Sequence, residues 1–534
     1  MSGLSFRGAT VVDGTGAPGY RADVLVRDGQ VAAIGSGLGG DRVVDAAGLV
    51  LAPGFIDLHA HSDIQILARP DHLAKVSQGV TLEVLGQDGL SYAPVDDSTM
   101  DTLRGQLAGW NDDPPGFAWD WRTVGEYLDR LDSGIACNAA YLVPQGTIRM
   151  LAVGWSDRPA TESELDAMRA LVATGLAEGA LGMSSGLTYA PGMYASTDEL
   201  VALCEVVAAG GGYYSPHHRS YGAGALAAYA EMVDVSRRSG CPLHLAHATM
   251  NYPVNAGRAG ELLAVLDEAT AGGVDVTLDS YPYLPAATYL SALLPSWAAE
   301  GGPDATVTRL SDVDVRERVR VDLEERGSDG NHGVPVDWAN VEINGVRLES
   351  HQGLVGHSVA ESARRAGRPP AELYFDVLVA ERLGTSCLLH AGDEDNVRAI
   401  MRHPAHTGGS DGLLVGARPH PRAWGTFPRY LGHYVRELGV LGLEDCVAHL
   451  TGRAARRLRL ADRGLVRPGY AADLVLFDPA TVADRATYPD PRRPASGIPY
   501  VLVNGVPVID DHRHTGALPG HSIRGTRGNH GPAR

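Results

Sequence analysis

Lysine is almost absent from this chain of 534 residues. Lys75 is the only lysine, so all but one of the 45 basic residues are arginine. A Schiff-base enzyme, or a site in which a carbamylated lysine bridges two metal ions, needs a lysine amine. Any such mechanism would depend on Lys75 alone, and its position in a helix pattern ahead of the strand at 80–85 does not suit a bridging role.

Cysteine and long apolar runs are also scarce. No apolar stretch reaches the ~20 residues that span a bilayer, and the N-terminal residues enter a strand pattern without the features of a signal peptide. The formal net charge of −19 argues against nucleic acid or an anionic membrane as a partner. Scattered cysteines without Cys-x-x-Cys spacing predict reduced thiols in a cytoplasmic protein. They are Cys137, Cys204, Cys241, Cys387 and Cys446.

The two ends of the chain share a pattern of short strands. Residues 9–50 and 464–510 both show short apolar strands broken by glycine turns. A chain of 534 residues also exceeds one ordinary core. The sequence therefore predicts a small β-sandwich domain built from both termini, with its N-terminal part at 1–50 and its C-terminal part at 451–534, including a tail from residue 524.

Between these ends, short apolar strands alternate with amphipathic helices such as 162–177, 197–209 and 259–271. This alternation predicts a parallel α/β sheet, and eight strands match a (β/α)8 TIM-like barrel over 51–450. Residues 290–370 break the alternation and predict an insertion near the last barrel units; residues 387–390 are a further strand candidate. The predicted barrel strands end near His59, Asp88, Val143, Ser184, His217, His247, Tyr281 and Asp411.

Two histidines follow the first predicted barrel strand. The apolar run at 49–58 ends in His59-Ala60-His61. Because side chains in a strand alternate with period 2, both imidazoles project to the same side. Neutral imidazole is the commonest protein ligand for zinc, so the pair predicts half of a metal site. For the two histidines by themselves, a pair of surface loop side chains is the alternative.

Other metal-ligating side chains fall at the ends of further predicted strands. Strand ends converge on one mouth of a barrel, so these side chains should meet there. Four imidazoles and two carboxylates suit one or two zinc-like ions, with a coordinated water of pKa about 7. For any single histidine, a hydrogen-bonded rim side chain is the alternative. The candidates are His59, His61, Asp88, His217, His247 and Asp411, with Tyr189 and Arg422 in adjoining loops.

Several motifs resemble those of one known family. The run GFIDLHAH at 54–61 resembles the opening motif of the amidohydrolase superfamily. Four further blocks, and the spacing between His217 and His247, are similar to the N-acyl-D-amino-acid deacylase (D-aminoacylase) family, over nearly the whole chain. The blocks are GALGMSSGLTY at 179–189, SYPY at 280–283, GSDG at 409–412 and HPRAWGTF at 420–427.

The resemblance implies an activity and a set of metal ligands. Members of the family hydrolyse the amide of an N-acyl-D-amino acid, giving a carboxylate and a free D-amino acid. The resemblance implies one tightly held zinc ion at Asp88, His217 and His247. It also implies a second, weaker site at His59 and His61.

The resemblance also implies roles around the substrate. Asp411 would act as general base and then as acid to the leaving nitrogen, which leaves poorly unless it is protonated. Arg422 and Tyr189 would hold the substrate carboxylate, and the planar fork of an arginine suits that task. Tyr281 and Tyr283 are taken as further substrate-binding residues.

The chain departs from the family at the ligand after the second strand. The family carries a cysteine in an Asn-Cys-Gly turn, and this chain has Gln87-Asp88-Gly89. An aspartate can ligate and even bridge two ions. Its harder oxygen makes manganese or cobalt alternatives to zinc.

Two more departures lie near the other ligands. Thr249 stands where the family often has a lysine that helps to grip the substrate carboxylate, which makes acidic D-amino acids poor candidate substrates. His217 is followed by a second histidine, His218, and the family's register selects His217 while leaving His218 as the alternative ligand.

These observations predict a metal-dependent hydrolase that removes the acyl group from an N-acyl-D-amino acid or a similar linear N-acyl amide, a small-molecule substrate. One alternative is a cyclic amidase of the hydantoinase or dihydroorotase type, although those enzymes usually carry the bridging lysine. The other alternative is a catalytically inactive scaffold on the same barrel. The retained ligand types and Asp411 argue against the scaffold.

Overall fold

Strands recur through the chain in the order that the sequence predicts. The structure is a computed structural model that describes residues 3–525, so most of the predicted tail at 524–534 lies outside the described residues. In chain order the strands are β1 Leu4–Val11, β2 Tyr20–Arg27, β3 Gln30–Gly35, β4 Arg42–Asp45, β5 Val50–Pro53, β6 Phe55–Asp57, β7 Val80–Leu85, β8 Asn138–Pro144, β9 Gly182–Gly186, β10 Tyr213–His217, β11 Leu243–Leu245, β12 Val276–Ser280, β13 Ala286–Tyr289, β14 Val341–Gly345, β15 His357–Ser358, β16 Ser386–Leu389, β17 His406–Gly408, β18 Leu474–Phe477, β19 Tyr500–Val503, β20 Val506–Asp510 and β21 Arg513–His514.

Helices lie between these strands. In chain order they are α1 Gln65–Ala68, α2 Leu73–Val76, α3 Asp97–Gln106, α4 Ala108–Asn111, α5 Val124–Leu131, α6 Gln145–Ala152, α7 Glu162–Glu178, α8 Thr197–Ala209, α9 Ala225–Ser239, α10 Ala259–Ala271, α11 Ser296–Ala299, α12 Pro303–Arg309, α13 Val313–Val321, α14 Val359–Ala366, α15 Pro370–Ala380, α16 Glu394–Met401, α17 Arg422–Arg429, α18 Leu443–Leu450 and α19 Gly452–Arg457. The three helices predicted by residue range correspond to α7, α8 and α10. Capping boxes, in which a threonine and a glutamate satisfy the first free backbone groups, begin α5 and α7. Within residues 3–525, no helix is both long and apolar enough to cross a membrane.

Eight parallel strands form the predicted barrel within the described residues. Their order is β6-β7-β8-β9-β10-β11-β12-β17. The first and last strands close the ring, since the Leu58 amide donates to the Gly408 carbonyl at 3.2 Å and the Asp411 amide donates to the His59 carbonyl at 2.8 Å. Each predicted strand end lies close to the C-terminal end of one of these strands. The (β/α)8 prediction is confirmed, and the polar strand ends therefore share one mouth.

The two ends of the chain build one sheet, as predicted for the small β-domain. Its order is β21-β20-β19-β18-β5-β1-β2-β3, with β4 paired to β1. Hydrogen bonds join Val31 of β3 to Gly469 and Tyr470, just before β18, so the sheet curls back on itself. Apolar side chains from both termini, among them Phe6 and Leu474, fill the enclosed core.

The insertion lies between the seventh and eighth barrel strands. It contains a separate sheet of order β13-β16-β14-β15, which spans residues 286–389 and so begins before and ends after the predicted range of 290–370. The strand candidate at 387–390 corresponds to β16 and belongs to this sheet, not to the barrel. Buried side chains such as Leu290, Tyr374 and Cys387 give the insertion its own core.

Lys75 lies at the seam where the first and last barrel strands meet. Its ammonium group donates to Asp57 Oδ2 at 2.5 Å and to Ser410 Oγ at 2.9 Å, and lies 3.4 Å from Glu83 Oε2. Burial alone would lower the pKa of Lys75, but Asp57 and Glu83 outweigh burial and raise that pKa above its usual value. The lysine is therefore a buried cation between two carboxylates, and it has no free amine to bridge metal ions.

We expect Lys75→Met to lower the free energy of unfolding by about 3–5 kcal/mol, because it leaves two buried carboxylates without their cation. Urea unfolding followed by circular dichroism measures the change. The matched control is Arg326→Met, which removes an ion pair with Asp322 from a side chain that is 70% exposed and should cost no more than about 1 kcal/mol. Equal losses in the two variants would contradict a structural role for the Lys75 network.

Candidate metal centre

One group of metal-ligating side chains lies across the seam of the barrel mouth. It consists of His59, His61, Asp88 and Asp411, all buried, with ligand atoms within 4.8 Å of one another. Asp88 Oδ1 lies 3.4 Å from His59 Nε2, and Asp88 Oδ2 lies 3.5 Å from His61 Nε2. Asp411 Oδ1 lies 3.2 Å from His61 Nε2. The structure therefore brings together four side chains that the sequence analysis placed at strand ends.

Asp88 also belongs to a second group, with His217 at the end of β10 and His247 just after β11. His217 Nδ1 lies 3.3 Å from Asp88 Oδ2 and 3.1 Å from His247 Nε2, and His247 Nε2 lies 3.4 Å from Asp88 Oδ1. One carboxylate is therefore shared by two pairs of histidines. This is the arrangement that a site for two ions with a bridging carboxylate requires.

Three residues of the two groups have left-handed backbone conformations. Their φ angles are 54° at Asp88, 31° at His247 and 48° at Asp411. Non-glycine residues rarely adopt positive φ, and where they do so the strain is often associated with a functional site. Each of the three follows a barrel strand, so the chain turns sharply at the point where the side chain must face the mouth.

The donor set fits a bound cation. Imidazole nitrogen and carboxylate oxygen are ligands that zinc accepts. Among the described residues, the buried atoms His59 Nδ1 and Asp88 Oδ1 have no hydrogen-bond partner. Burial alone would lower the pKa of His61, but Asp411 and Asp88 outweigh burial and raise it to about 9. The site therefore attracts positive charge.

The charge on Asp88 agrees with a cation site. Burial alone would raise the pKa of Asp88, but the neighbouring imidazoles, His247 first, outweigh burial and hold that pKa well below its usual value. Asp88 is consequently an anion at neutral pH. A buried anion needs a partner of opposite charge, which a metal ion would provide.

Two residues that the sequence analysis did not single out orient the histidines. Thr188 Oγ1 lies 2.7 Å from His217 Nε2, which leaves Nδ1 of that ring facing Asp88. Asp279, near the end of β12, accepts from the His247 amide at 2.9 Å and lies 3.7 Å from His59 Nδ1. Such partners fix the ring orientation of metal-ligating histidines. Sequence analysis could have identified Asp279, because it lies near the end of a barrel strand as the predicted ligands do.

The structure distinguishes His217 from His218. Both ring nitrogens of His218 are buried without a hydrogen-bond partner among the described residues. Its ring packs against Tyr221 and Tyr229, with centroid distances of 4.0 Å to each. His217 faces the shared carboxylate and His218 faces an aromatic wall, so the geometry favours His217 as the ligand.

Asp411 is paired with Arg422. Arg422 Nη2 lies 2.9 Å from Asp411 Oδ2, and the guanidinium group lies 4.4 Å from the centre of the Tyr281 ring. Arg422 Nε and Nη1 are buried and have no hydrogen-bond partner among the described residues. Burial alone would raise the pKa of Asp411, but Arg422 and nearby imidazoles outweigh burial and lower it. Asp411 is therefore ionised at neutral pH, as a general base must be.

The two groups open into one cavity, here called the central cavity. Tyr189 and Tyr281, two of the residues that the sequence analysis gives as substrate-binding, line it. Tyr283 does not: its hydroxyl lies 3.4 Å from Asp484 Oδ2, and it lines a different cavity beside Arg429. The two tyrosines of the SYPY motif therefore lie in different cavities, because the chain leaves the barrel strand at Ser280.

The insertion supplies the roof of the central cavity. Thr288, Leu293 and His332 line it, and Tyr189 OH lies 3.0 Å from Thr288 Oγ1. Trp110 also lines it, with its ring 4.7 Å from that of His61. None of these contacts follows a strand-end pattern, because the residues come from segments outside the barrel strands. Within the described residues, the side chains that line this cavity include no lysine or arginine.

Known proteins share this fold and much of this sequence. The model of the amidohydrolase family matches residues 42–509. The D-aminoacylase of Alcaligenes xylosoxydans xylosoxydans is 36% identical over 98% of this chain and 98% of that protein. The N-acyl-D-glutamate deacylase of the same organism is 37% identical over 95% of this chain and 93% of that protein. The structure of N-acyl-D-glutamate deacylase from Bordetella bronchiseptica, complexed with zinc and a phosphonate inhibitor, has a TM-score of 0.84 at 34% identity and covers 98% of this chain and 99% of that one.

We expect His217→Leu to reduce the zinc content of the purified protein, and His218→Leu to leave it unchanged, because only His217 faces Asp88. Asp88→Ala should reduce zinc content furthest, since both histidine pairs share that carboxylate. Mass spectrometry of metals after dialysis against a zinc buffer measures the stoichiometry. Zinc lost from His218→Leu and kept in His217→Leu would reverse the assignment.

Proposed function

The chain belongs to the amidohydrolase family, and from that premise we propose that it is a zinc-dependent hydrolase that removes the acyl group from N-acyl-D-amino acids. The observation that carries the proposal is the Asp88 carboxylate shared by two histidine pairs, next to the pair of Asp411 and Arg422. Hydrolysis of an amide needs an electrophilic centre, a base and an acid in one place. The barrel mouth offers residues for each.

We assign one zinc ion to Asp88, His217 and His247, and a second to His59 and His61 with Asp88 shared. Bound zinc supplies a Lewis acid that polarises the amide carbonyl and acidifies a coordinated water. The ligands are nitrogen and oxygen without a thiolate, so manganese and cobalt are alternatives. Thr188 and Asp279 hold the ligand rings in orientation, as described above.

Asp411 is the proposed base and acid. One of its oxygens lies beside His61 and the other beside Arg422, so the carboxylate stands between the metal ligands and a cation. On the ligand side it can accept a proton from the attacking water. It can then pass that proton to the amide nitrogen, which otherwise leaves poorly.

Arg422 is the proposed anchor for the carboxylate of the amino acid. Arg422 contacts Asp411 and Tyr281, which line the central cavity, but does not itself line it. Its Nε and Nη1 have no hydrogen-bond partner among the described residues, so a carboxylate that reaches past Tyr281 would meet two free donors. Tyr281 stacks against the guanidinium group, and Tyr189 lines the same cavity as Tyr281. Tyr283 is not part of this assignment because it lies in another cavity.

The wall of the central cavity favours an uncharged amino-acid side chain. The insertion contributes Ala286, Ala292 and Leu293, and Thr249 offers a hydroxyl in place of a cation. A second carboxylate on the substrate would lose water there without gaining an opposite charge. The relatives named D-aminoacylase and N-acyl-D-glutamate deacylase are 36% and 37% identical to this chain. Sequence identity therefore does not select between an uncharged and an acidic substrate side chain, and the proposal rests on the residues that line the central cavity.

The two alternatives fit less well. A cyclic amidase would usually need a bridging lysine, and Lys75 is already held between Asp57 and Glu83. An inactive scaffold has no need for a buried Asp88 shared by two histidine pairs. A measurement of zinc content would distinguish the two, because an inactive scaffold should bind little zinc.

We propose a cytoplasmic location and small molecules as the main partners. All five cysteines lie within residues 3–525 and are buried and free, which suits a reducing compartment. The formal net charge of −19 disfavours nucleic acid and anionic membranes.

We expect the zinc-loaded protein to release free amine from N-acetyl-D-leucine and not from N-acetyl-L-leucine. Asp411→Asn should lower kcat about 10²–10⁴-fold, because proton transfer to the nitrogen is lost, with zinc content unchanged. Asp395→Asn, an exposed aspartate, is the matched control and should keep full activity. Absence of turnover for the D-substrate in zinc-loaded protein would reject the proposed function.

We expect kcat/KM for N-acetyl-D-leucine to exceed that for N-acetyl-D-glutamate by at least tenfold, since a second carboxylate has no cation in the cavity wall. Thr249→Lys adds a cation and should narrow the gap between the two substrates. Thr249→Val, which adds no charge, is the control and should not narrow it. A wild-type preference for the D-glutamate derivative would contradict the uncharged-pocket assignment.

A further inference from the structure

A second cavity, here called the side cavity, lies beside the central cavity. Its volume is about 520 Å³, against about 60 Å³ for the central cavity. Ligand sites usually measure ~300–1,000 Å³, so the central cavity is too small to enclose both halves of an N-acyl-amino acid. A substrate with a bulky group must extend into a neighbouring space.

Two residues, Thr188 and Ala292, line both cavities. Thr188 contacts His217 Nε2 at 2.7 Å, so this shared wall lies directly next to the metal ligands. Ala292 belongs to the insertion and carries only a methyl group. The side cavity therefore begins within one side chain of the proposed metal site.

The order of the barrel strands sets the direction of the side cavity. Thr188 follows β9, the fourth barrel strand, whereas Asp411 and Arg422 follow β17, the eighth. Fourth and eighth strands are diametrically opposed in a closed ring of eight. Arg422 is the proposed anchor for the carboxylate and Asp411 serves the nitrogen, so the acyl group on the far side of the amide points away from them, towards Thr188.

The wall of the side cavity suits an acyl chain. Apolar side chains that line it are Trp155, Met193, Tyr289, Leu294, Val307 and Leu383. Four charged residues also line it: Arg382 is ion-paired with Asp304, Asp101 is ion-paired with Arg104, and Arg347 adds an exposed cation at its edge. An alkyl chain gains from leaving water without needing any specific partner.

We propose that the side cavity binds the acyl chain, and that the protein prefers N-acyl-D-amino acids with acyl chains well longer than acetyl. This inference rests on the proposed function. It concerns the acyl half of the substrate, whereas the central cavity and Arg422 concern the amino-acid half. The specificity-determining residues are those of the side cavity, on α12 and the adjoining turns of the insertion.

The test compares kcat/KM for N-acetyl-, N-butanoyl- and N-octanoyl-D-leucine with the zinc-loaded wild-type protein. We expect the octanoyl compound to be at least tenfold better than the acetyl compound. Val307→Trp fills the side cavity and should lower the octanoyl-to-acetyl ratio at least tenfold. Ala299→Trp, also in the side-cavity wall, is a second variant in case the first fails to fold.

Val313→Trp is the matched control, because Val313 is in the same insertion and is 75% exposed; its ratio should equal that of the wild type. If acetyl-D-leucine is hydrolysed but the octanoyl compound is no better, the inference is wrong and the proposed function stands. If neither Val307→Trp nor Ala299→Trp changes the octanoyl-to-acetyl ratio, the inference is likewise wrong and the proposed function stands. If no member of the series is hydrolysed, the proposed function fails and takes the inference with it.

Discussion

The position of the Asp88 carboxylate is the constraint on which the rest of the site depends. Among the described residues, Asp88 is the one that belongs to both groups of metal-ligating side chains, and the backbone around it is closely packed. A Cβ at Gly186 would lie 2.0 Å from the Asp88 carbonyl oxygen, and a Cβ at Gly89 would lie 2.5 Å from the Gly186 nitrogen. The turn after the second barrel strand therefore packs directly on the end of the fourth, which only glycine allows.

Charge balance explains why Asp88 suits a metal. Three buried carboxylates near the seam have a cation of the protein: Asp57 and Glu83 share Lys75, and Asp411 has Arg422. Among the described residues, the ion pairs of Asp88 are with histidines only. These imidazoles would have to carry protons to balance Asp88, and a protonated ring nitrogen cannot ligate a metal. A bound cation is therefore the group that would balance the carboxylate while the rings act as ligands. Since Lys75 is the only lysine of the chain and is held by Asp57 and Glu83, no lysine is left to pair with Asp88.

Much of the architecture could be predicted from the sequence, because buried parallel strands are continuous apolar runs and their polar ends mark the mouth. The same logic found His59, Asp88, His217 and Asp411. It did not single out Thr188, which follows β9, because a hydroxyl is not among the usual zinc ligands. It could not find Trp110, which reaches the site from a segment outside the barrel strands and carries no periodic signal. Tyr283 was grouped with Tyr281 because both belong to the SYPY motif, and a motif does not show where the chain leaves the strand.

The insertion and the barrel contribute different parts of the site. The proposed metal ligands and Asp411 lie at the C-terminal ends of the barrel strands or in the turns that follow them, so the barrel positions them. The insertion supplies the roof of the central cavity, and its Thr288 joins Tyr189 above the ligands. A separate core lets its lining residues change without loss of barrel strand pairing. Chemistry and substrate choice can therefore vary independently, and relatives with the same ligand geometry can differ in the amide that they accept.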